Sequence, residues 1–190
     1  TASDMQLLRL FMEGLDTIAY WYRSGRFIPG ILPVPTHVIA YSDYTDALSD
    51  LILNSRLPVG LVALGVPSLP ESDIANAYQE GLLRMRRLGV LLHFMSFSGS
   101  EDQLHWISEM KMDGIHIDMS QLRDKMLSDS VIAQLRQSPY SPTQIYASHV
   151  GLVKDLEHAS ALQMNHCYGG LMMSLAKHRD GETVLEKDLE

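Results

Sequence analysis

The stretch of sequence that decides the fold is LGVLLHFMSFSGS at residues 88–100, together with MDGIHIDMS at residues 112–120. Each stretch contains a short, largely apolar run, at residues 90–94 and 114–118. Continuous apolar runs are typical of parallel strands that are covered on both faces. Between the two runs, Leu104, Ile107 and Met110 recur at helical spacing. The sequence therefore predicts two parallel strands joined by a helix.

The same alternation of strand and helix extends in both directions along the chain. Apolar spacing predicts a first helix over residues 4–23 and a Pro- and Gly-rich loop over residues 24–35. Strands are predicted at residues 37–41, 59–66, 90–94, 114–118, 144–147 and 166–168. Helices are predicted between them, including one longer helix from Leu122 to Leu135 and a last one from Leu171. Two α/β architectures fit: an open doubly wound sheet, or most of a (β/α) barrel.

The composition excludes several classes of protein. The chain has 190 residues, with 15 Lys and Arg against 23 Asp and Glu, and a formal net charge of -8. A chain of this sign repels a phosphate backbone, so no nucleic-acid partner is expected. No apolar stretch has the length that spans a bilayer, so no membrane segment is expected within the chain. The one cysteine, Cys167, cannot form an internal disulfide and is expected to be a small buried apolar residue in a cytoplasmic protein.

The longer pattern resembles the EAL domain of bacterial cyclic di-GMP phosphodiesterases. Residues 88–100 and 112–120 follow the family's series of an LGV motif, an apolar strand, a DDFG motif and a KID strand. Residues 145–151 follow its AEGVE segment, and residues 167–171 follow its QGYL segment. Upstream, residues 39–42 take the place of the VNLS strand and residues 61–66 that of the LEITE strand. The resemblance runs from about residue 6 to residue 176 and implies a TIM-type (β/α) barrel, degenerate or incomplete, with about six β/α units.

The resemblance also implies which residues stand in place of the family's chemistry. Members hydrolyse a phosphodiester with divalent cations held by clustered carboxylates. The matching positions here are Ala40 for the asparagine of VNLS, Met95 and Ser96 for the aspartate pair, His116 for the lysine, Ser148 and Gly151 for the two glutamates, and Tyr168 for the glutamine. Only Asp118, the aspartate of KID, is retained, and residues 61–67 contain no acid. One carboxylate supplies neither the charge nor the ligand number of a hard-cation site.

The chain is therefore expected not to be an enzyme, and no catalytic residue, metal ion or cofactor is predicted. Two residues are candidates for ligand binding as remnants of the family's site. They are Asp118 and Phe97, which matches the phenylalanine of DDFG. Packing in the core is the alternative explanation for Phe97.

Two histidine patterns have a second interpretation. His116 and Asp118 point the same way on one strand, with His93 on the neighbouring strand, so they suggest either a replacement metal site or hydrogen-bonded interior residues. Ser148 beside His149 suggests a nucleophile and its base. Adjacent strand residues point to opposite faces, however, which favours a plain strand-to-helix turn.

A third pattern lies at the start of a predicted helix. Gly99 between two serines suggests either backbone donors for a phosphate or a helix cap. The cap would be Ser100 with Gln103 three residues later. The helix cap is the simpler interpretation because such loops are common.

Residues 1–178 are predicted to form one EAL-like domain, and residues 179–190 a polar C-terminal tail. The family begins with two strand-bearing units that precede the first helix of this chain, and residues 1–5 are too short to contain them. Three explanations are open. The chain is a piece of a longer protein, its barrel is an open crescent, or its edge strands are covered by a partner.

These observations favour a non-catalytic EAL-like domain that acts as a protein-interaction or regulatory module in bacterial, cyclic di-GMP-related signalling. Its expected partner is another protein or domain, and a homo-oligomer is open. A cyclic di-GMP receptor without hydrolysis is the first alternative. It ranks lower because the family's nucleotide contacts come from the missing front units and from positions that differ here. An active metal-dependent phosphodiesterase is the second alternative.

Overall fold

The computed structural model describes residues 2–137, 142 and 144–173. The chain divides into two compact units, Thr1–His93 and Phe94–Glu190. In the first unit the elements are α1 (Ala2–Arg23), β1 (Gly30–Pro33), α2 (Thr36–Ala40), α3 (Ser42–Ser55), β2 (Val62–Val66) and α4 (Ala75–Arg87). Strand β3 (Leu91–Phe94) follows α4, and the division between the two units falls before its last residue. In the second unit they are α5 (Glu101–Met110), β4 (Gly114–Asp118), α6 (Met119–Arg123), α7 (Asp129–Gln137), β5 (Gln144–Ser148), α8 (Val153–Ala161) and β6 (His166–Cys167).

Within each unit, neighbouring strands pair in parallel, as the alternation of strands and helices predicts. In the first unit β1 pairs with β2, with Gly30 opposite Val62. In the second unit β5 pairs with β4 on one side and β6 on the other. All five residues of β2 are buried, as expected for a parallel strand with both faces covered.

The first strand does not lie where the apolar run at residues 37–41 predicts it. Residues 36–40 form helix α2, whereas a strand was predicted at residues 37–41. Val38 and Ile39 are both buried in this helix, and an apolar run of this length satisfies a short helix as well as a strand. The strand that follows α1 is β1, within the predicted loop. The asparagine of VNLS therefore has no counterpart at Ala40, and β1 itself, of sequence GILP, contains no polar side chain.

Gly30 explains why β1 was missed. A Cβ atom at Gly30 would lie 2.3 Å from Cγ1 of Ile18 in α1. This glycine therefore marks a close approach of helix and strand rather than a flexible loop. Pro33 is tolerated because β1 is an edge strand, which needs no backbone donor on its outer side.

The long helix predicted from Leu122 to Leu135 is also wrong. The structure has two helices, α6 and α7, separated by residues 124–128. Lys125 has a left-handed backbone (φ 56°), which ends a helix. The break between α6 and α7 left no gap in the apolar pattern of the sequence, because Leu127 within it is an apolar residue that is also buried.

The remaining strand predictions agree with the structure to within a few residues, and β4 agrees at both ends. Residues 171–173 are helical, as predicted. The rest of that last helix, the domain boundary at residue 178 and the predicted tail lie outside the described residues. No helix in the described ranges combines the length and apolar character needed to cross a bilayer.

Gly81 tests the packing of α4 on α2 in the first unit. A Cβ atom there would lie 2.2 Å from the carbonyl oxygen of Ile39, which is backbone and cannot move aside cheaply. We expect Gly81→Ala to lower the free energy of unfolding by roughly 1 to 3 kcal/mol, measured by urea denaturation. Gly170→Ala is the control, because nothing lies within 4 Å of its Cβ position. An unchanged Gly81→Ala variant would contradict this packing.

Candidate functional site

The candidate site lies at the carboxyl ends of β4, β5 and β6 in the second unit. Parallel pairing places His116 opposite Tyr146, and Tyr146 opposite His166. It also places Asp118 opposite Ser148. Side chains two residues apart on a strand share a face, so all five of these side chains project from the same face of the sheet.

Three of these side chains form a stacked row across the strands. The rings of His116 and Tyr146 have centroids 4.5 Å apart and an interplanar angle of 9°. Those of Tyr146 and His166 are 4.7 Å apart at 23°. Exposure increases along the row: His116 is 1% exposed, Tyr146 is half-buried and His166 is exposed. The row therefore runs from the interior of the unit to solvent.

Tyr168 packs against the buried end of the row, at His116. Its hydroxyl shares a hydrogen bond of 2.9 Å with Nδ1 of His116. Burial raises the pKa of Tyr168, a hydrogen bond with Ser148 opposes this rise, and the nearby charge of Asp118 adds to it. The phenol therefore stays protonated at neutral pH and fills the space above His116 as a neutral group.

Both carboxylate oxygens of Asp118 contact other groups of the protein. Its Oδ1 accepts hydrogen bonds from the backbone N of Ser120 at 2.8 Å and from the Ser120 hydroxyl at 2.7 Å. It thereby caps helix α6. Its Oδ2 lies 3.2 Å from Nδ1 of His149. The side chain of Asp118 is 30% exposed and that of His149 is 74% exposed.

The loop that follows β5 is held by a buried carboxylate. Asp155 is 1% exposed, and its Oδ2 accepts from the backbone N of Gly151 at 3.0 Å and of Leu152 at 2.9 Å. The same oxygen is paired with the guanidinium of Arg123. Burial by itself raises the pKa of Asp155, but the hydrogen bonds and charge of Arg123 and the two backbone donors lower it more. The net pKa is below its ordinary value, so the carboxylate is charged at neutral pH.

A second contact fixes Tyr168 against this loop. The backbone N of Val150 donates to the carbonyl oxygen of Tyr168 at 3.2 Å. At the next residue, Gly169, a Cβ atom would lie 2.4 Å from the backbone N of Val150. Only glycine permits this approach of two backbone segments.

The two predicted ligand-binding residues lie in different surroundings. Phe97 is 0% exposed, and its backbone N donates to the carbonyl oxygen of His116 at 3.4 Å. Asp118 reaches solvent at the edge of the site. The backbone of β4 thus connects Phe97 to the site, whereas its ring lies in the core.

The helix start at Gly99 has the predicted cap. The Ser100 hydroxyl accepts from the backbone N of Gln103 at 3.3 Å. The Gln103 side chain returns to accept from the backbone N of Ser98 at 2.8 Å. Groups of the chain itself therefore fill the place that the alternative interpretation gave to a phosphate.

The histidine alternatives can be compared with the same geometry. The Ser148 hydroxyl donates to the carbonyl oxygen of Ile117 at 3.1 Å, and His149 is paired with Asp118. Ser148 and His149 are thus directed to different partners. His116 is buried and bonded to Tyr168, which agrees with an interior residue. His93 is also buried, in the first unit.

The residues at these strand ends do not fit a divalent cation of the kind that the family uses. Within residues 2–137, 142 and 144–173, no three or more His, Cys, Asp or Glu side chains are grouped so that they could hold a metal ion. Cys167 is half-buried, and burial raises the pKa of its thiol. It is therefore not a ready thiolate ligand or nucleophile at neutral pH.

Tyr146 and His166 were missed as site residues, although a signal for them exists. Each of three strands ends with a ring residue followed two positions later by a polar one: HID at residues 116–118, YAS at 146–148 and HCY at 166–168. The repeat at consecutive strand ends predicts that these six side chains share a face. The signal emerges only when the three strand ends are compared with one another, because each strand end by itself has an ordinary composition.

No protein-family model and no curated protein matches this chain. Solved structures do match it. The EAL domain of Xanthomonas citri FimX in complex with c-di-GMP has a TM-score of 0.75 at 10% identity, over 88% of this chain and 68% of that chain. The EAL domain of Mycobacterium smegmatis DcpA has a TM-score of 0.76 at 15% identity, over 90% and 80%. The phosphodiesterase PaMucR in complex with c-di-GMP has a TM-score of 0.75 at 16% identity, over 87% and 69%.

This chain therefore has the fold of EAL domains. The prediction of an incomplete TIM-type (β/α) barrel is confirmed at the level of the fold. Of the two α/β architectures that the sequence allowed, the structural matches therefore favour the barrel over the open doubly wound sheet. At these identities, the likeness concerns the fold alone.

Asp155 provides a test of the loop that carries the site. Asp155→Ala removes the acceptor of two backbone N–H groups and the partner of Arg123, whose side chain is 29% exposed. We therefore expect it to lower the free energy of unfolding by roughly 2 to 4 kcal/mol at neutral pH. Glu13→Ala is the control, because the exposed Arg9–Glu13 pair is worth about 0.5 kcal/mol or less.

The stability difference between wild type and Asp155→Ala is expected to depend on pH in one direction only. Since folding lowers the pKa of Asp155, its contribution is present above the ordinary carboxyl pKa of about 4 and is lost as pH falls through the lower folded value. Urea denaturation in steps of pH is therefore expected to show wild type and Asp155→Ala converging in acid. A gap that widened in acid would contradict this account of the loop.

Proposed function

We propose that this chain, which has the fold of EAL domains, is a non-catalytic member of that architecture that acts as a protein-interaction or regulatory module. Its setting would be bacterial, cytoplasmic signalling connected with cyclic di-GMP. The observation that carries the proposal is the chemistry of the strand ends. Asp118 is the one carboxylate on the site face of β4, β5 and β6, and its oxygens are occupied by Ser120 and His149.

The strands of the first unit support the same conclusion. β1 has the sequence GILP and β2 has the sequence VALGV. Neither contains a side chain that coordinates a hard cation. Metal-assisted hydrolysis of a phosphodiester needs several oxygen ligands to hold the cation and to generate the attacking hydroxide. These strands supply none.

The space at the strand ends is also filled differently. The stacked rings of His116, Tyr146 and His166 cover the sheet, and Tyr168 is bonded over His116. These groups contain no carboxylate and are rich in ring surface. The exposed part of this set, His166 and Tyr168, is suited to contact with another protein rather than to holding a cation.

The first prediction concerns catalysis. Incubation with cyclic di-GMP and Mg²⁺ or Mn²⁺ is expected to give no linear dinucleotide, measured by chromatography beside an active EAL phosphodiesterase as positive control. Asp118→Asn is the matched variant, since asparagine keeps the helix cap and removes the charge. Metal-dependent product that disappears in Asp118→Asn would overturn the non-catalytic proposal.

A cyclic di-GMP receptor without hydrolysis is the second candidate. The observation in its favour is that two solved structures of the same fold are complexes with c-di-GMP. We rank it lower because the strand ends of this chain present rings and one engaged carboxylate. Calorimetry with cyclic di-GMP is expected to show no saturable binding with a dissociation constant of about 1 μM or tighter. Binding in that range would reverse the ranking.

The partner of the first proposal would be another protein or domain, or a second copy of this chain. Light scattering across a range of concentrations distinguishes a self-associating chain from a monomer that needs a different partner.

A further inference from the structure

Exposed apolar side chains lie at the amino ends of the strands in the first unit. Phe27 is 72% exposed, Ile28 is 53% exposed and Val59 is 81% exposed. Phe27 lies three residues before Gly30, and Val59 lies three residues before Val62, its register partner in the parallel pair of β1 and β2. The three apolar side chains therefore project from the same end of the unit.

The loops that carry these side chains are stiff. Pro29 and Pro58 stand beside the apolar residues of the two loops, and both prolines are exposed. The proline ring fixes the backbone φ at these positions. The ring of Phe27 also meets that of Tyr22 edge to face, with centroids 5.5 Å apart and an interplanar angle of 81°. The outward position of the apolar side chains is therefore built into the loops.

Exposed arginines surround the apolar side chains at this end. They share a position at or just beyond the end of a helix that leads into β1, β2 or β3: Arg23, Arg26, Arg56 and Arg87. The backbone N of Gly60 donates to the carbonyl oxygen of Gly89 at 3.1 Å, which joins the loops before β2 and β3. We call these four arginines, with Phe27, Ile28 and Val59, the basic end.

The guanidinium groups of the basic end have no acidic partner in the chain. Elsewhere, Arg9, Arg84 and Arg123 are paired with Glu13, Asp46 and Asp155. Over residues 2–137, 142 and 144–173, none of the four arginines of the basic end forms such a pair with a carboxylate. Their positive charge is therefore left for another molecule.

The acids of this unit lie away from the basic end. Residues 17–42, 51–70 and 81–93 contain no Asp or Glu, and the acids of the unit fall within residues 4–16, 43–50 and 71–80. Helices in β/α units run from the carboxyl ends of the strands to their amino ends, so these acids lie towards the opposite end. A basic residue in the last turn also stabilises a helix, but this does not account for the exposed apolar side chains.

The combination of unpaired guanidinium groups and projecting apolar side chains fits an anionic bilayer. Guanidinium groups bind phosphate with two parallel hydrogen bonds, and apolar side chains enter the headgroup region of a lipid surface. A bilayer accepts side chains that project from a convex end, whereas a protein partner needs a surface of complementary shape. A cavity of about 400 Å³ in this unit lies between α2, α3 and α4, and no residue of the basic end lines it.

Two other occupants fit less well. A second copy that presented the same surface would bring like charges together, which is unfavourable. The bases of a single-stranded nucleic acid stack on aromatic rings, and Ile28 and Val59 offer none.

We propose that the basic end is a peripheral binding surface for an anionic phospholipid bilayer. Phe27, Ile28 and Val59 enter the headgroup region, and the surrounding arginines pair with lipid phosphates. This function goes beyond the proposed role in signalling. It concerns the amino ends of strands in the first unit, whereas the candidate site lies at the carboxyl ends of strands in the second.

The test is cosedimentation of the full chain with vesicles of phosphatidylcholine, with and without about one-third phosphatidylglycerol. We expect binding to the anionic vesicles alone, and weaker binding as salt is raised. Arg26→Gln and Arg56→Gln are each expected to weaken binding about fivefold. Phe27→Ser is expected to weaken it about tenfold.

The matched controls lie on the exposed face of α1. Arg9→Gln and Leu10→Ser remove side chains that are 81% and 64% exposed. Both positions precede Arg23 by about 20 Å along the helix axis. Their binding is expected to match the wild type.

A second measurement reports entry into the bilayer. The tryptophan emission of Phe27→Trp is expected to shift to shorter wavelength with anionic vesicles and to stay unchanged with phosphatidylcholine alone. Adhesion by charge without entry would leave the emission unchanged and would overturn the role given to Phe27.

Several results would overturn the proposal as a whole. They are absence of binding to the anionic vesicles, wild-type binding in Phe27→Ser, and losses in the controls equal to those at the basic end. Binding of labelled polyglutamate or of an oligonucleotide without binding of vesicles would assign the basic end to an acidic protein or a nucleic acid instead. None of these results bears on the hydrolysis of cyclic di-GMP, so failure here is separate from failure of the proposed function.

Discussion

The parallel register of β4, β5 and β6 is the constraint on which the candidate site depends. It places His116 opposite Tyr146 and Tyr146 opposite His166. A shift of one residue would turn one member of each pair to the other face, where Ile115, Ile117 and Ile145 are buried. The cost of exposing those apolar residues therefore fixes the polar arrangement. The stacked rings are positioned largely by the apolar residues on the opposite side of the sheet.

Much of the fold was predictable because several segments carry unambiguous patterns. Strand β4 was predicted at both ends, since GIHID is a short, largely apolar run that follows a helical pattern. The error at residues 37–41 has a physical cause. A run of five apolar residues is too short to show either the helical period or the strand period, so it cannot distinguish a short helix from a strand. Gly30 had the opposite effect, since it led to a loop being predicted where the structure has strand β1. Glycine occurs in loops, but it also occurs where two elements pack closely, as Gly30 does against Ile18.

The site was predictable only in part. Asp118 and the positions that differ from the EAL pattern followed from the resemblance, and the Ser100 cap followed from local chemistry. The stack of Tyr146 on His166 needed knowledge of which residues pair, and that information lies in the relative positions of distant segments. The ion pair of Asp118 with His149 depends on the left-handed backbone of His149. The prediction treated residues 148 and 149 as extended strand, and a left-handed backbone is incompatible with an extended one. The buried Asp155 anchor depended on its pairing with Arg123, 32 positions earlier in the chain, which no local pattern reveals.

Gly169 has a consequence for how this chain tolerates mutation. Its backbone passes so close to Val150 that even a methyl group would overlap with main-chain atoms. Loop positions in a protein of this size usually accept many residue types, so a saturation library would be expected to be permissive there. Here it should be as restrictive as a core position, with every replacement displacing the neighbouring phenol from His116. The most mutation-sensitive point of this surface would thus be a residue with no side chain at all.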